Sequence, residues 1–173
     1  IAGNFDISAT IKNTTITGNS KDIFFGKIDP LGNLIWIKTA GGTGADQAMD
    51  IELDNQEGLY ISGLFSSTAD FDGNTVTAIQ PSANSTNMSD NFLVKYDTSG
   101  NFQWIKTGAT IDNDFNNNVN GYNNNTFNYY GKSKIKFKNG NIYLMASNRV
   151  SGSQLGAINP SGRQFDGISL PNT

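Results

Sequence analysis

An internal repeat constrains the fold of this chain more than any other feature of its sequence. Residues 22–39 align without a gap on residues 90–107, and each anchor residue recurs 68 positions further on. The tryptophans coincide in this alignment, Trp36 with Trp104. A constant displacement over a segment of this length is typical of repeated supersecondary units, so we expect the two copies to share one local structure.

Each copy has the pattern of a β-hairpin. An apolar run ends at Asp29 in the first copy and at Asp97 in the second, a glycine follows three residues later, and a tryptophan-centred strand comes next. Asp begins turns through its side chain, and Gly supplies the positive φ that such turns need. Because Trp36 and Trp104 recur once in each unit, we predict that they are core residues between units.

Further strands complete the repeated unit. Residues 48–54 alternate in polarity at period two, and residues 59–63 form a compact apolar strand after a turn. The segment 60–65 recurs at 1–5 and, more loosely, at 142–146. Four strands in about 65 residues, with turns between them and no helical periodicity, are typical of a β-propeller blade.

The sequence therefore predicts an all-β fold of four-stranded antiparallel β-propeller blades, about two and a half of them, in an incomplete ring. We assign residues 1–42 to a partial blade containing its outer strands and residues 43–109 to a complete blade. Residues 110–173 are assigned to an Asn-rich loop between blades and a divergent or incomplete blade. Propellers close with about four to eight blades, so we expect a fragment of a larger propeller, with the rest of that propeller or other subunits as its partners.

The third unit departs from the repeat. Residues 155–162 resemble the turn at 28–32, which places the expected third tryptophan position near Asp166.

Composition and charge exclude several classes of function. With 12 Lys and Arg against 15 Asp and Glu, the net charge is −3, which offers no dense cationic surface to nucleic-acid phosphates. The lysines within 132–138 alternate with other residues, which favours the wet face of a half-buried strand over a nucleic-acid patch. No segment has the ~20 apolar residues of a membrane helix. The chain has no Cys and no His, which excludes disulfides and thiolate metal sites and removes the commonest transition-metal ligand. We expect no metal site and no cofactor.

The Asn-rich loop contains the first candidate site. Asp112 and Asp114 begin a run of alternating oxygen-bearing side chains that resembles a calcium loop. Asn117 and Asn123 occupy the positions where such a loop has Gly and an acidic residue, which favours a polar loop over a calcium site.

The same loop carries aromatic candidates for ligand contact. Tyr122, Phe127 and Tyr129 are interspersed with asparagines. Aromatic faces beside amide donors suit sugar rings and protein partners. The alternative, which we favour, is that these rings pack the loop onto neighbouring blades.

Two other motifs have simpler structural explanations. Gly41, Gly42 and Gly44 precede no Lys-Ser/Thr pair and open no helix, which favours a tight crossing between blades over a phosphate cradle. Asp70 and Asp72 form a paired-carboxylate motif on paper, but a turn with its backbone capped by side chains accounts for them.

Residues 36–42, 46–54 and 58–63 together resemble the seven-bladed β-propeller repeat (SBBP type) of bacterial secreted and cell-surface proteins. The Asn- and Thr-rich form is similar to repeats in long extracellular proteins of Bacteroidetes-type bacteria. The resemblance implies an extracellular or cell-surface location, and it implies little about chemistry, because propellers host many functions.

Two classes of function are compatible with this reading. The first is a non-enzymatic repeat region that mediates binding, adhesion or structural spacing, with a glycan or protein as ligand. The alternative is part of a propeller enzyme that acts on glycans with carboxylate chemistry, which needs acids converging from several blades. Asp29 and Asp97 fall at repeated turn positions, where structure explains them, so we favour binding over catalysis.

Overall fold

The computed structural model describes residues 1–78, 89–110, 132–147, 163–165 and 168–170. The described residues form β-strands and contain no helix, and therefore no helix that could cross a membrane. All of the strand pairs are antiparallel, which confirms the predicted fold class. The strands are β1 (Ala2–Ile11), β2 (Thr14–Ile28), β3 (Leu34–Gly42), β4 (Gln47–Leu53), β5 (Leu59–Ser66), β6 (Thr68–Phe71), β7 (Asn74–Thr77), β8 (Ser89–Tyr96), β9 (Phe102–Thr110), β10 (Lys132–Lys138), β11 (Asn141–Ser147), β12 (Arg163–Phe165) and β13 (Ile168–Leu170).

The strands form three sheets. One sheet has the order β1-β2-β3-β6-β7, the second has the order β13-β12-β9-β8-β5-β4, and β10 pairs with β11. Within the second sheet, β4, β5, β8 and β9 form an antiparallel meander, while β6 and β7 leave it between β5 and β8. None of the sheets built from the described strands closes into a barrel, as expected for part of a propeller.

The repeated hairpins have the same geometry at matching positions. The Asn33 amide N donates to Asp29 Oδ1 at 2.7 Å, and the Asn101 amide N donates to Asp97 Oδ1 at 2.9 Å. The glycine of each turn has positive φ, 80° at Gly32 and 83° at Gly100. These bonds lower the pKa of both carboxyls, that of Asp29 mainly through the Asn33 side chain and that of Asp97 mainly through the Asn101 backbone. The predicted turns are confirmed.

Two apolar cores lie on opposite faces of the six-stranded sheet. The larger one joins it to the five-stranded sheet, with the rings of Phe25 and Tyr96 4.5 Å apart and those of Phe71 and Phe92 4.9 Å apart. The smaller core, around Tyr60, packs against β10 and β11. Face-to-face packing of successive sheets is the arrangement that the blade pattern predicted.

The tryptophans were predicted to be core residues, and this prediction is only partly correct. Both are half-buried at the edges of the two cores. Trp36 lies across the turn of the next unit, where its indole N–H donates to the Thr98 carbonyl at 3.3 Å. A Cβ on Gly100 would lie 3.1 Å from the Trp36 ring, so this glycine permits the close approach. The indole N–H needs a polar partner, which keeps the ring at the rim of the core.

The paired glycines of the first unit allow a crossing between sheets. Gly41 pairs with Asp70 and Gly42 pairs with Ala69, so the β6–β7 hairpin joins the sheet of the preceding unit. A Cβ on Gly42 would collide with the Thr68 carbonyl oxygen. The glycines therefore serve a close contact between units, as the sequence predicted.

The two aspartates of this hairpin have structural roles. Asp70 Oδ1 accepts a hydrogen bond from the Gly73 amide at 3.0 Å. Asp72 occupies the turn with φ 59° and pairs with Lys38 Nζ at 2.6 Å. The turn interpretation of this motif is confirmed.

The end of the chain shows how the third unit departs from the repeat. Alignment on the tryptophan hairpin places the tryptophan-equivalent position near Asp166. Instead, Phe165 pairs with Ile168, so β12 and β13 form a hairpin, and β12 adds to β9. The sequence at 165–167, Phe-Asp-Gly, repeats that at 71–73. The segment therefore corresponds to the crossing hairpin β6–β7. An alignment centred on the tryptophan hairpin does not include that hairpin.

The crossing predicts a steric sensitivity at one position. Gly42→Ala places a methyl group against the Thr68 carbonyl, so we expect the free energy of unfolding to fall by about 1–3 kcal/mol. Urea denaturation followed by tryptophan fluorescence measures the change. Gly73→Asn is the control, because its site is open and Asn tolerates positive φ, and it should change stability by less than about 0.5 kcal/mol. Equal losses in both variants would contradict the role of the crossing.

Candidate functional site

The ligand-contact residues predicted from the sequence lie outside the described residues. These are Asp112, Asp114, Tyr122, Phe127 and Tyr129. Their assignment to a calcium site, a polar loop or a ligand surface therefore stays a prediction. The described residues contain two other features of functional interest, a cleft and a buried carboxyl pair, neither of which the sequence singled out.

A cleft of about 630 Å³ opens between the first and second units. Strands β2 and β3 form one wall, and β4, the start of β5 and the turn after β8 form the other. Its apolar lining consists of Ile1, Ile28, Trp36, Ile51, Leu53 and Leu59. The volume falls in the range of ligand pockets, and the other half of the lining residues are polar or glycine.

Strand β4 supplies two exposed apolar side chains of the cleft, including its most exposed one, Leu53. Leu53 is 54% exposed and Ile51 is 36% exposed, although both belong to a regular strand with a protein core beside it. Their exposure follows from the alternation of β4, which directs the intervening acids Asp50 and Glu52 towards the third unit. On β4 the charged side chains therefore contact the third unit, while Ile51 and Leu53 face the open cleft, which Glu52 also borders.

Ionic contacts between β4 and β10 fix this orientation. Lys134 Nζ lies 3.3 Å from Asp50 Oδ1, and Lys136 Nζ lies 2.9 Å from Glu52 Oε1. The same acids accept backbone hydrogen bonds from β10. The Ile135 amide donates to Asp50 at 2.8 Å, and the Phe137 amide donates to Glu52 at 3.2 Å. The lysine side chains are exposed, as the predicted wet face of a strand requires, and their partners are carboxylates of this chain.

Polar groups line the rim of the cleft. Lys27 Nζ pairs with Glu57 Oε2 at 3.2 Å, and both side chains are well exposed. The backbone carbonyl of Thr98 already accepts the Trp36 indole hydrogen bond. A solvated ion pair beside an apolar floor can be displaced by a ligand at little cost, since exposed pairs contribute only about 0–1 kcal/mol.

Two of the acids that line the cleft, Glu52 and Asp97, are poor candidates for a general acid. A general acid at neutral pH needs a raised pKa. The pKa of Glu52 is instead lowered, first by the hydrogen bond from Lys136, and that of Asp97 is lowered by its turn. Both are ionised acceptors that are already occupied. Among the described residues, no cluster of three or more acids could hold a metal ion.

A buried carboxyl pair lies beside the crossing hairpin. Asp46 is fully buried, and its carboxylate accepts hydrogen bonds from the Gly42 amide at 2.8 Å and the Ser66 amide at 3.0 Å. Burial raises its pKa to about 7, with a smaller contribution from the nearby charge of Asp22. Asp22 Oδ1 is buried without a hydrogen-bond partner among the described residues, and a Cβ on Gly41 would meet both carboxyl groups.

The sequence holds a signal for this pair that motif searching missed. Asp46 follows Trp36 by ten residues, and Asp114 follows Trp104 by the same interval. Because this carboxyl recurs with the repeat, the sequence favours a structural role for Asp114 over a role as a calcium ligand.

The described sheets form an all-β repeat module consistent with part of a propeller, and the cleft between its first two units is open and partly apolar. Over 172 residues, the chain is 28% identical to an uncharacterized WD repeat-containing protein of Acanthamoeba polyphaga mimivirus. The match covers 88% of this chain and 12% of that protein, so the chain spans about an eighth of its relative's length. No family model and no solved structure matches the chain. The similarity supports a β-propeller-type repeat.

The buried pair predicts an unusual dependence of stability on pH. The folded pKa of Asp46, about 7, lies above the ordinary value of 3.8, so the folded state binds the proton more tightly. The stabilisation is complete below about pH 4 and is lost as the pH rises through 7, by about 2–4 kcal/mol. Urea titrations from pH 4.5 to 8 measure this slope.

Asp46→Asn should remove that slope, because the amide does not titrate. Asp29→Asn is the control, since its exposed turn carboxyl has a lowered pKa and the substitution leaves Asp46 in place. The interpretation is wrong if the wild-type slope persists in Asp46→Asn, or if Asp29→Asn abolishes it.

Proposed function

We propose that this chain is a non-enzymatic, propeller-type repeat region whose cleft between the first two units binds an extended, partly apolar segment of a protein partner. The observation that carries the proposal is the orientation of β4, which presents Ile51 and Leu53 to the cleft and its acids to the third unit. Exposed apolar groups that form a concave surface with a polar rim are typical of interaction sites.

The shape of the cleft favours a chain segment over a compact small molecule. Its walls come from strands, and β4 is the edge strand of its sheet. At Ala48 the Asn4 side chain already bonds this edge, donating to the carbonyl at 3.2 Å and accepting from the amide at 2.7 Å. An extended segment can place apolar side chains against Ile1, Ile28 and Leu53 while its polar groups meet the Lys27–Glu57 pair. Alternate side chains of an extended peptide fit such surfaces.

The wider setting belongs to the same proposal. We infer that residues 1–42, 43–109 and 110–173 are successive repeat units of a large exported or cell-surface bacterial protein that uses them for binding, adhesion or spacing. The SBBP resemblance supports this setting. Protease treatment of intact cells that carry the parent protein tests it, since a protein that is cleaved only after lysis would contradict surface exposure.

Substitutions in the cleft test the binding site. Peptides selected from a displayed random library on the wild-type chain serve as probes, and fluorescence anisotropy measures their affinity. Leu53→Asp places a charge on the apolar floor and should weaken binding at least tenfold. Leu31→Asp makes the same chemical change at an 86% exposed turn residue outside the cleft and should leave affinity unchanged. Equal effects of the two substitutions would contradict the proposed site.

Incubation with polysaccharides separates this function from the enzymatic alternative. We expect no release of reducing ends from any polysaccharide during incubation with the wild-type chain. Turnover products that disappear in Glu57→Gln, which alters the exposed acid of the rim, would show catalysis and overturn a purely binding role.

A further inference from the structure

The structure contains the same joint between units twice. In the first joint, Gly41 and Gly42 at the end of β3 pair with Asp70 and Ala69 of the β6–β7 hairpin. In the second joint, the end of β9 pairs with β12, and Ala109 lies opposite Gln164. Because β9 is the repeat of β3, displaced by 68 positions, the two joints use equivalent positions of the two receiving strands.

The first unit has a hairpin of the same kind. Residues 1–17 align without a gap on residues 61–77, displaced by 60 positions. The alignment matches two unusual backbone conformations, φ 56° at Ile7 with 60° at Ser67, and φ 55° at Lys12 with 59° at Asp72. Positive φ is uncommon outside glycine, so this double agreement shows that the hairpins share one structure.

In the first hairpin, the strand edge that corresponds to the joint pairs with none of the described strands. Residues 8–11 of β1 correspond to β6, which pairs with β7 on one side and with β3 on the other. Among the described strands, β1 pairs only with β2 and forms the edge of its sheet. One edge of residues 8–11 therefore presents backbone groups that the equivalent strand uses to bind a neighbouring unit.

We propose that residues 8–11 form a docking edge for the last strand of another repeat unit of this type. The partner adds as an antiparallel strand beside β1, as β3 does beside β6 and β9 does beside β12. The joint would then be a general coupling in which each unit passes one hairpin to the sheet of its neighbour.

The register of the hairpin identifies the amides that bind. Ile11 and Thr14 flank a two-residue turn, so they form the pair that exchanges both hydrogen bonds. Thr10 and Thr15 form the next pair, whose amides point away from each other, and their hydroxyl oxygens lie 3.4 Å apart. The amide of Thr10 therefore faces the docking edge, and the amide of Thr15 faces the opposite edge.

The receiving strand of the first joint ends in residues without bulky side chains. In the two joints the receiving strands end in Ala-Gly-Gly at 40–42 and in Gly-Ala-Thr at 108–110. At Gly42 the approach of the hairpin carbonyl leaves no room for a side chain. In the second joint Thr110 takes the position of Gly42 and pairs with Arg163, so the pairing itself is shared by the two joints and the close approach belongs to the first.

A peptide with the sequence of residues 34–46 tests the docking edge as a stand-in for such a strand. Amide NMR titration of the 173-residue chain should show saturable binding, with slower hydrogen exchange at the amides of Ser8 and Thr10. Thr10→Pro removes the outward amide and should weaken binding at least tenfold. Thr15→Pro removes the matched amide on the opposite edge, with the same loss of a hydroxyl contact, and should leave affinity within about twofold.

Each other outcome overturns the proposal. A scrambled peptide that binds equally well shows that the surface does not select the strand. Exchange protection at Asp70 instead of Thr10 shows that the peptide has displaced β3 from the existing joint. Equal losses in the two proline variants show damage to the hairpin rather than to its edge, and absence of saturable binding shows that the edge does not dock.

Discussion

Backbone pairing between Gly41–Gly42 and the β6–β7 hairpin is the contact on which the arrangement of the units depends. Through it, residues of the second unit complete the sheet of the first, so the two sheets are joined by main-chain hydrogen bonds as well as by apolar packing. Apolar packing alone is non-directional and would permit sliding between sheets. The strand register at the crossing fixes the relative position to one residue.

The orientation of β4 follows from this fixed arrangement. Once the first two sheets are in place, one side chain set of β4 must face the first unit and the other must face β10. The acids take the side of β10 because its lysines and backbone amides neutralise them. Ile51 and Leu53 are left on the cleft side. The open apolar surface is therefore a consequence of how three units pack, and no single unit would produce it.

Much of the local structure could be predicted from the sequence, because turns and strands leave local signals. The Asp29 and Asp97 turns, the alternation of β10 and the all-β class are local in this sense, and the structure confirms them. The cleft could not be predicted, because period-two alternation shows which residues share a face but not what covers that face. Asp50 is covered by Lys134, which lies 84 positions further along the chain, and the intervening sequence does not indicate that the two residues are in contact.

The crossing was hidden for a related reason. The motif at 70–73 indicates a turn, but the sequence of a hairpin does not indicate which sheet the hairpin will join. Alignment centred on the tryptophans therefore left the end of the third unit without a match, although the recurrence of Phe-Asp-Gly at 165–167 indicates the crossing hairpin.

The buried carboxyl of Asp46 accounts for how the crossing is held. Its own amide donates to the Lys21 carbonyl at 2.7 Å, and its carboxyl oxygens accept from Gly42 on β3 and Ser66 at the end of β5. One residue thus connects three strands at the point where the chain leaves one sheet for the other. Replacing it with an apolar side chain would save the desolvation cost of a carboxyl but leave two buried amides without acceptors. The directional bonds that specify the crossing are therefore inseparable from the raised pKa at the same site, since both arise from placing a carboxyl where water is excluded.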